Sequence, residues 1–202
     1  MPVQIKVCGI NKHLVEVDAL GPDYMGYIFW NPSSRNCELA DIPPTKAQKV
    51  GVFVNEELHI ISETAKKYSL NAIQLHGNES PHFCKQVKDL GYKVFKAFKV
   101  EADFDFNRCT SYEQVVDMFV FDSPGKLPGG NGVTFSWDRL EAYKGETPYL
   151  LSGGINPNNI ADAFAFADNH DKCVGVDVNS GYEEKPGVKD LELLKGLFAL
   201  RK

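Results

Sequence analysis

Short runs dominated by β-branched and aromatic residues alternate along the whole chain with amphipathic stretches of period 3.6. The apolar runs predict strands over 3–7, 24–29, 49–54, 71–76, 92–97, 118–122, 148–152 and 173–178. Between them, apolar residues recur three and four apart: Leu58, Ile61, Ala65, Tyr68; then Phe83, Val87, Leu90; then Ile160, Ala163, Phe164, Ala167; finally Leu191, Leu194, Leu197, Phe198. Each stripe predicts a helix that lays one face on a sheet. Ser80-Pro81 and Asn156-Pro157 each offer a capping side chain followed by proline at the first helical position.

Strands that alternate with helices imply an α/β protein with a parallel sheet, and eight is the number that closes a barrel. The second and fifth helices are the weak points. Ile42-Pro43-Pro44 allows at best a short or irregular helix between Cys37 and Lys49, and the stretch from Asn107 to Val116 carries no clean stripe. No linker or low-complexity tract divides the 202 residues, so residues 1–202 are expected to form a single (β/α)8 barrel domain, short for its kind. An open sheet binding a dinucleotide or a nucleoside triphosphate would need G-x-G-x-x-G or G-x-x-x-x-G-K-[ST], and neither occurs. Glycines cluster instead after the later strands, at Gly129-Gly130-Asn131-Gly132, Gly153-Gly154 and Ser180-Gly181. That is where a barrel commonly holds a phosphate on backbone N–H groups.

Charge and composition narrow the partners. A net charge of −5, no basic run and four scattered arginines argue against nucleic acid, so an anionic ligand must be held by local donors. The N-terminus has no charged start followed by an apolar stretch, and no apolar run approaches membrane-spanning length; no membrane partner and a cytoplasmic location are expected. Five widely spaced cysteines fit reduced thiols better than a disulfide framework. No metal is expected, because the five histidines lack paired spacing with acidic or cysteine partners. Oligomeric state is left open.

Two proton-transfer groups end two strands: Cys8 closes the first and Asp122 the sixth. In a parallel barrel all strand ends lie on one face, so both can meet over one substrate without a cofactor. Taken alone, a free cysteine is more often a small buried apolar residue. Strand alternation, however, puts Lys6 on the same inward side one layer below, where its ammonium would favour the Cys8 thiolate as a base. Asp122 could merely cap a turn; desolvated by neighbours such as Phe121 and Phe135, its carboxyl would stay protonated and serve as an acid. Arg35, on the Pro32-Ser33-Ser34-Arg35 loop, is a candidate clamp for carboxylate or phosphate. His76, ending Gln74-Leu75-His76-Gly77, is either a hydrogen-bonded structural residue or a ligand contact.

From end to end the chain resembles the phosphoribosylanthranilate isomerases of tryptophan biosynthesis. The resemblance is carried by Lys6-Val7-Cys8-Gly9-Ile10, Gly26-Tyr27-Ile28-Phe29 leading to Ser33-Ser34-Arg35, Val50-Gly51-Val52-Phe53-Val54-Asn55, Ile73-Gln74-Leu75-His76-Gly77, Asp122-Ser123 with Gly129-Gly130-Asn131-Gly132 and Phe135-Ser136-Trp137, Leu151-Ser152-Gly153-Gly154-Ile155, and Val176-Asp177-Val178-Asn179-Ser180-Gly181. It implies an eight-stranded TIM barrel that isomerises a small phosphosugar by an Amadori rearrangement, with no metal or coenzyme. It further implies that Asp122 acts as general acid and Cys8 as general base, that Arg35 contacts the anthranilate part, that His76 and Asp177 face the substrate, and that Gly153, Gly154, Ser180 and Gly181 hold the phosphate. The chain departs from the family after Arg35, where Asn36-Cys37 stands in place of the usual aromatic residue, and at Asn179-Ser180-Gly181-Tyr182-Glu183, where Ser-Ser-Gly-Val-Glu is commoner.

Competing functions differ in what they demand of the same barrel. An indole-glycerol-phosphate synthase would need a catalytic lysine with glutamates at strand ends, for which Lys96 is a lone candidate. A sugar-phosphate epimerase would need a set of His and Asp ligands. A non-catalytic barrel that only binds a phosphorylated ligand would have no need for both Cys8 and Asp122.

Overall fold

Eight parallel strands pair in chain order, and the last returns to the first to close a barrel. They are β1 (Gln4–Cys8), β2 (Tyr24–Phe29), β3 (Gln48–Phe53), β4 (Ala72–Leu75), β5 (Lys93–Lys99), β6 (Met118–Asp122), β7 (Tyr149–Ser152) and β8 (Cys173–Val178). The computed structural model describes residues 2–124 and 136–201. Among the described residues, five α-helices flank the barrel: α1 (Leu14–Ala19), α2 (Leu58–Tyr68), α3 (Pro81–Asp89), α4 (Ile160–Asn169) and α5 (Leu191–Ala199). A small antiparallel pair, β9 (Glu183–Lys185) and β10 (Val188–Lys189), follows β8.

Alternation along the strands divides the apolar residues into two bodies. Tyr24, Val50, Ala72, Phe95, Ala97, Met118, Val120 and Leu150 point inward and fill the barrel. Their immediate neighbours, among them Ile5, Val7, Ile73, Phe119, Phe121, Leu151 and Val176, point outward and pack under the helices. Each such side chain taken fully out of water contributes about 1.5–3 kcal/mol. Helix α2 turns Ile61, Ala65 and Tyr68 onto this outer layer, α3 turns Cys84 and Val87, and α5 turns Leu194 and Leu197.

The cap expected at Ser80 is present: its side chain accepts from the Phe83 amide, with Pro81 in the first turn. The cap expected at Asn156 is not. Helix α4 begins at Ile160, and Asn156 braces the turn before it, accepting from the Asn158 amide through its side chain and from the Asn159 amide through its carbonyl.

Between β2 and β3 the short or irregular helix expected there is absent altogether. The double proline leaves a loop instead, and tertiary contacts hold it: Cys37 donates its amide to the Ile28 carbonyl, Tyr68 its hydroxyl to the Leu39 carbonyl, and Cys37 and Ile42 are buried. The fifth connection is a 3₁₀ segment, Phe106–Tyr112, as irregular as expected. The connection after β6 also ends in a 3₁₀ segment, Trp137–Ala142, where no irregularity was foreseen. Gly129-Gly130-Asn131-Gly132 and Phe135 lie outside the described residues.

Candidate active site

Cys8 and Asp122, 114 positions apart in the chain, line one cavity at the C-terminal mouth of the barrel. Ile28, Val52, Gln74, His76, Ser152, Gly153, Gly154, Asp177 and Ser180 share its wall, and the space within, counting the part open to solvent, is about 580 Å³. The strands explain the convergence, since each contributes the last inward-facing position before its loop.

At the floor, Lys6 and Asp177 stand directly opposite on β1 and β8, and the register brings Lys6 Nζ to 2.6 Å from Asp177 Oδ2 with the lysine fully buried. Burial alone would lower the Lys6 pKa, but the charges of Asp177 and Cys8 outweigh it and hold the ammonium above its ordinary value. Cys8 is packed against Gly26, where any Cβ would come within 2.7 Å of the thiol sulfur. A side chain on β2 would therefore displace the sulfur from its seat. Burial pushes the Cys8 thiol up; Lys6, and more weakly Lys189, pull it down, while Asp177 pushes it up. The help expected from Lys6 is thus present in direction, and it is smaller than the cost of desolvation.

Asp122 is buried, but not among the residues expected. Alternation turns Phe121 away, into an aromatic cluster with Tyr143 and Tyr149 beneath the helices. The carboxylate faces polar groups instead: the Ser123 amide donates to Oδ1 at 3.0 Å, the Ser152 hydroxyl lies 3.3 Å from Oδ1, and His76 Nε2 lies 3.3 Å from Oδ2. His76 is held from behind by a 2.9 Å contact between its Nδ1 and Gln74 Nε2.

Two glycine loops form the opposite wall. Gly153 has φ of 88°, and a Cβ there would run into the backbone and side chain of Ser123, so only glycine allows β7 to approach the end of β6 this closely. Asn156 Nδ2 and Asn159 Nδ2 both donate to the Gly154 carbonyl, at 2.9 and 3.1 Å, which fixes the loop by its acceptor. Ser180 lines the cavity and opens a 3₁₀ turn, Ser180–Tyr182, that contains Gly181. Loops after the seventh and eighth strands, where a barrel commonly holds a phosphate, make this wall.

Arg35 reaches the same rim, already engaged. Its Nε donates to both carboxylate oxygens of Glu183, at 3.1 and 2.9 Å, and Nη2 lies 2.8 Å from Oε2. Lys189, fully buried, adds a 2.8 Å bond to Glu183 Oε1 and a 2.9 Å bond to Asn179 Oδ1. Lys96, the candidate for synthase chemistry, is bound to Glu79 and to the carbonyls of Leu75, Gly77 and Ala97, a structural bolt beneath the β4 loop. Among the described residues, no three His, Cys, Asp or Glu side chains gather where they could hold a metal, and no helix is long and apolar enough to cross a membrane.

Residues 5–199 match the model of the N-(5′-phosphoribosyl)anthranilate (PRA) isomerase family. The chain belongs to that family. It is 42% identical over 96% of its length to the N-(5′-phosphoribosyl)anthranilate isomerase of Parabacteroides distasonis, covering 91% of that protein. Among solved structures, it is similar to the phosphoribosyl anthranilate isomerase of Thermus thermophilus, with a TM-score of 0.84 at 26% identity over 98% of this chain and 97% of that one. It is also similar to a phosphoribosyl anthranilate isomerase in complex with reduced 1-(o-carboxyphenylamino)-1-deoxyribulose 5-phosphate, with a TM-score of 0.80 at 31% identity over 97% and 96% of the two chains.

Within this isomerase fold, the structure gathers Cys8, His76, Asp122, Asp177, Gly153, Gly154 and Ser180 about one cavity with Lys6 buried beneath it, whereas Arg35 and Gly181, expected with them, are not part of its wall. Sequence reasoning passed over Gln74, Ser152, Glu183 and Lys189. Gln74 and Ser152 carried a signal, being polar residues at inward positions of buried strands. Glu183 and Lys189 carried none, because they depend on a hairpin too short to leave a periodic pattern.

Proposed function

We infer that this chain converts N-(5′-phosphoribosyl)anthranilate to 1-(2-carboxyphenylamino)-1-deoxyribulose 5-phosphate, the isomerisation that names its family, as a step in tryptophan biosynthesis. The observation that carries the assignment of roles is the meeting of Cys8 and Asp122 in one cavity, with a glycine-lined wall beside them.

Asp122 gives its proton to the furanose ring oxygen as the bond from C1′ to that oxygen breaks. The anthranilate nitrogen supplies the electron pair for a C=N bond, giving an open-chain iminium. The iminium acidifies the neighbouring C–H, so a modest base suffices. The Cys8 thiolate takes the C2′ proton, and the enolamine that forms tautomerises to the ketone. Positioned acid and base groups each contribute on the order of 10² to 10⁴ in rate. The phosphate end is assigned to the backbone of Gly153, Gly154, Ser180 and Gly181, the anthranilate carboxylate to the rim beside Arg35, and the sugar hydroxyls to Asp177, with His76 facing the substrate from beside Asp122. The fixed ion pair with Lys6 holds Asp177 in place as an orienting acceptor, and its other oxygen, Oδ1, is buried without a partner among the described residues.

The test is the loss of phosphoribosylanthranilate fluorescence on adding purified protein treated with a chelator. Turnover that persists after chelation is expected. No turnover by the folded protein, with phosphate-analogue binding intact, would favour a barrel that only binds its ligand.

A further inference from the structure

His76 and Asp122 turn toward each other two buried atoms that have no hydrogen-bond partner among the described residues, Nε2 and Oδ2, held 3.3 Å apart. On the far side of the ring, Gln74 Nε2 lies 2.9 Å from Nδ1. Gln74 is 1% exposed and sits two residues before His76, so both face the barrel interior, with the amide one layer below.

An amide nitrogen has hydrogens to give and no lone pair to offer, so this contact is a hydrogen bond only when Nδ1 is the bare, accepting nitrogen. A neutral imidazole carries one N–H, which then stands on Nε2 and points at Asp122. We propose that Gln74 is a positioning residue that fixes His76 as its Nε2–H tautomer, so that His76 donates to the Asp122 carboxylate as that carboxylate forms. The proposal rests on the reading of Asp122 as general acid.

Two consequences follow for the proton. Nε2 is already protonated and cannot take the hydrogen of Asp122, and the amide hydrogens against Nδ1 leave no room for a second one there. The acid's proton therefore goes to the ring oxygen, and the charge left behind meets a donor aimed before the reaction began. The charged groups around the ring are Asp122 on β6, Asp177 on β8 with Lys6 at its back, Lys99 in register with Asp122 on β5, and the Lys96–Glu79 pair beneath the 76–79 loop. Asp122 and Asp177 line the mouth cavity with His76, and Lys96 and Lys99 line a neighbouring one that His76 also borders.

Nitrogen-15 NMR of histidine-labelled protein reads the tautomer directly. Wild-type His76 is expected as Nε2–H at neutral pH. Gln74→Glu keeps the shape but replaces the donor by an acceptor, and is expected to move the hydrogen to Nδ1 and to lower kcat at least tenfold while binding of a phosphate analogue is kept. Gln74→Met keeps the volume without a donor, and is expected to give mixed tautomers and a smaller loss. Nδ1–H in the wild-type spectrum, or wild-type kcat in folded Gln74→Glu, overturns the proposal. If neither variant folds, the wild-type spectrum decides alone. An Nε2–H spectrum from a protein that fails to turn over phosphoribosylanthranilate would instead sink the functional reading and leave the tautomer assignment standing.

Discussion

Lys6 Nζ and Asp177 Oδ2 are 2.6 Å apart, paired across β1 and β8 directly below Cys8, with the lysine wholly out of solvent. The pair sets the field in which the thiol ionises, and its two members push in opposite directions.

Lys6→Met should therefore raise the Cys8 thiol further. If the thiolate is the base, activity rises with pH as the thiol ionises, so the rising limb of kcat/KM moves to higher pH. Asp177→Asn should move it the other way, because the charge opposing the thiolate is gone. Each single change also strands a buried charge, which costs about 3–5 kcal/mol. The double variant should recover much of that loss in thermal unfolding. A limb that stays in place in Lys6→Met would remove Lys6 from the activation of Cys8.

Cys8→Ala and Asp122→Asn delete the two proposed proton-transfer groups while leaving the walls intact. Each should lower kcat by on the order of 10² to 10⁴ or more, with little change in affinity for a substrate analogue. Ser152→Ala, which removes only the hydroxyl 3.3 Å from Asp122 Oδ1, should cost far less. Near-normal turnover by either of the first two variants would end its assigned role.

The barrel was legible because eight short apolar runs, buried on both faces, recur between amphipathic stretches along the chain. Lys6, Cys8 and Asp122 stood out for the same reason, as polar or reactive side chains on the filled side of a strand. What could not be read was the environment of each group. Phe121 is adjacent to Asp122 in sequence and faces the opposite layer, whereas His76 is distant in sequence and lies 3.3 Å away. Arg35 was legible as a rim residue, but its partner Glu183 arrives on a hairpin whose strands have three and two residues. The missing second helix shows the same limit in reverse. Ile42-Pro43-Pro44 excluded a regular helix, yet only the tertiary contacts of Cys37, Leu39 and Ile42 reveal what covers the barrel there.

Gly153→Ala is expected to damage both stability and phosphate binding. A φ of 88° costs an L-residue about 1–2 kcal/mol, and the new methyl would also collide with Ser123. Relief of that collision moves the β7 loop away from β6, so affinity for inorganic phosphate should fall together with the melting temperature. Unchanged phosphate affinity in a destabilised variant would take the phosphate away from this loop.

The Arg35–Glu183–Lys189 cluster makes a prediction about acid. Burial pushes the Glu183 carboxyl up, but the hydrogen bond from Arg35 and the charge of Lys189 more than offset it, so it titrates below its ordinary value of 4.5. A carboxylate whose folded pKa is depressed adds stability that is complete above the unfolded value and is lost as pH falls through the folded one. Melting temperature should therefore decline below about pH 4.5, in part through this group. Glu183→Gln removes the charge at every pH, so at neutral pH it should be the less stable protein, by on the order of 3 kcal/mol, with Lys189 left buried and unpaired. In acid the wild type loses the same interaction, and the two curves should converge. The variant also releases Arg35 from its hold, so KM should rise more than kcat falls if that guanidinium contacts the anthranilate carboxylate. Parallel melting curves throughout the acid range would show that Glu183 does not carry the linkage.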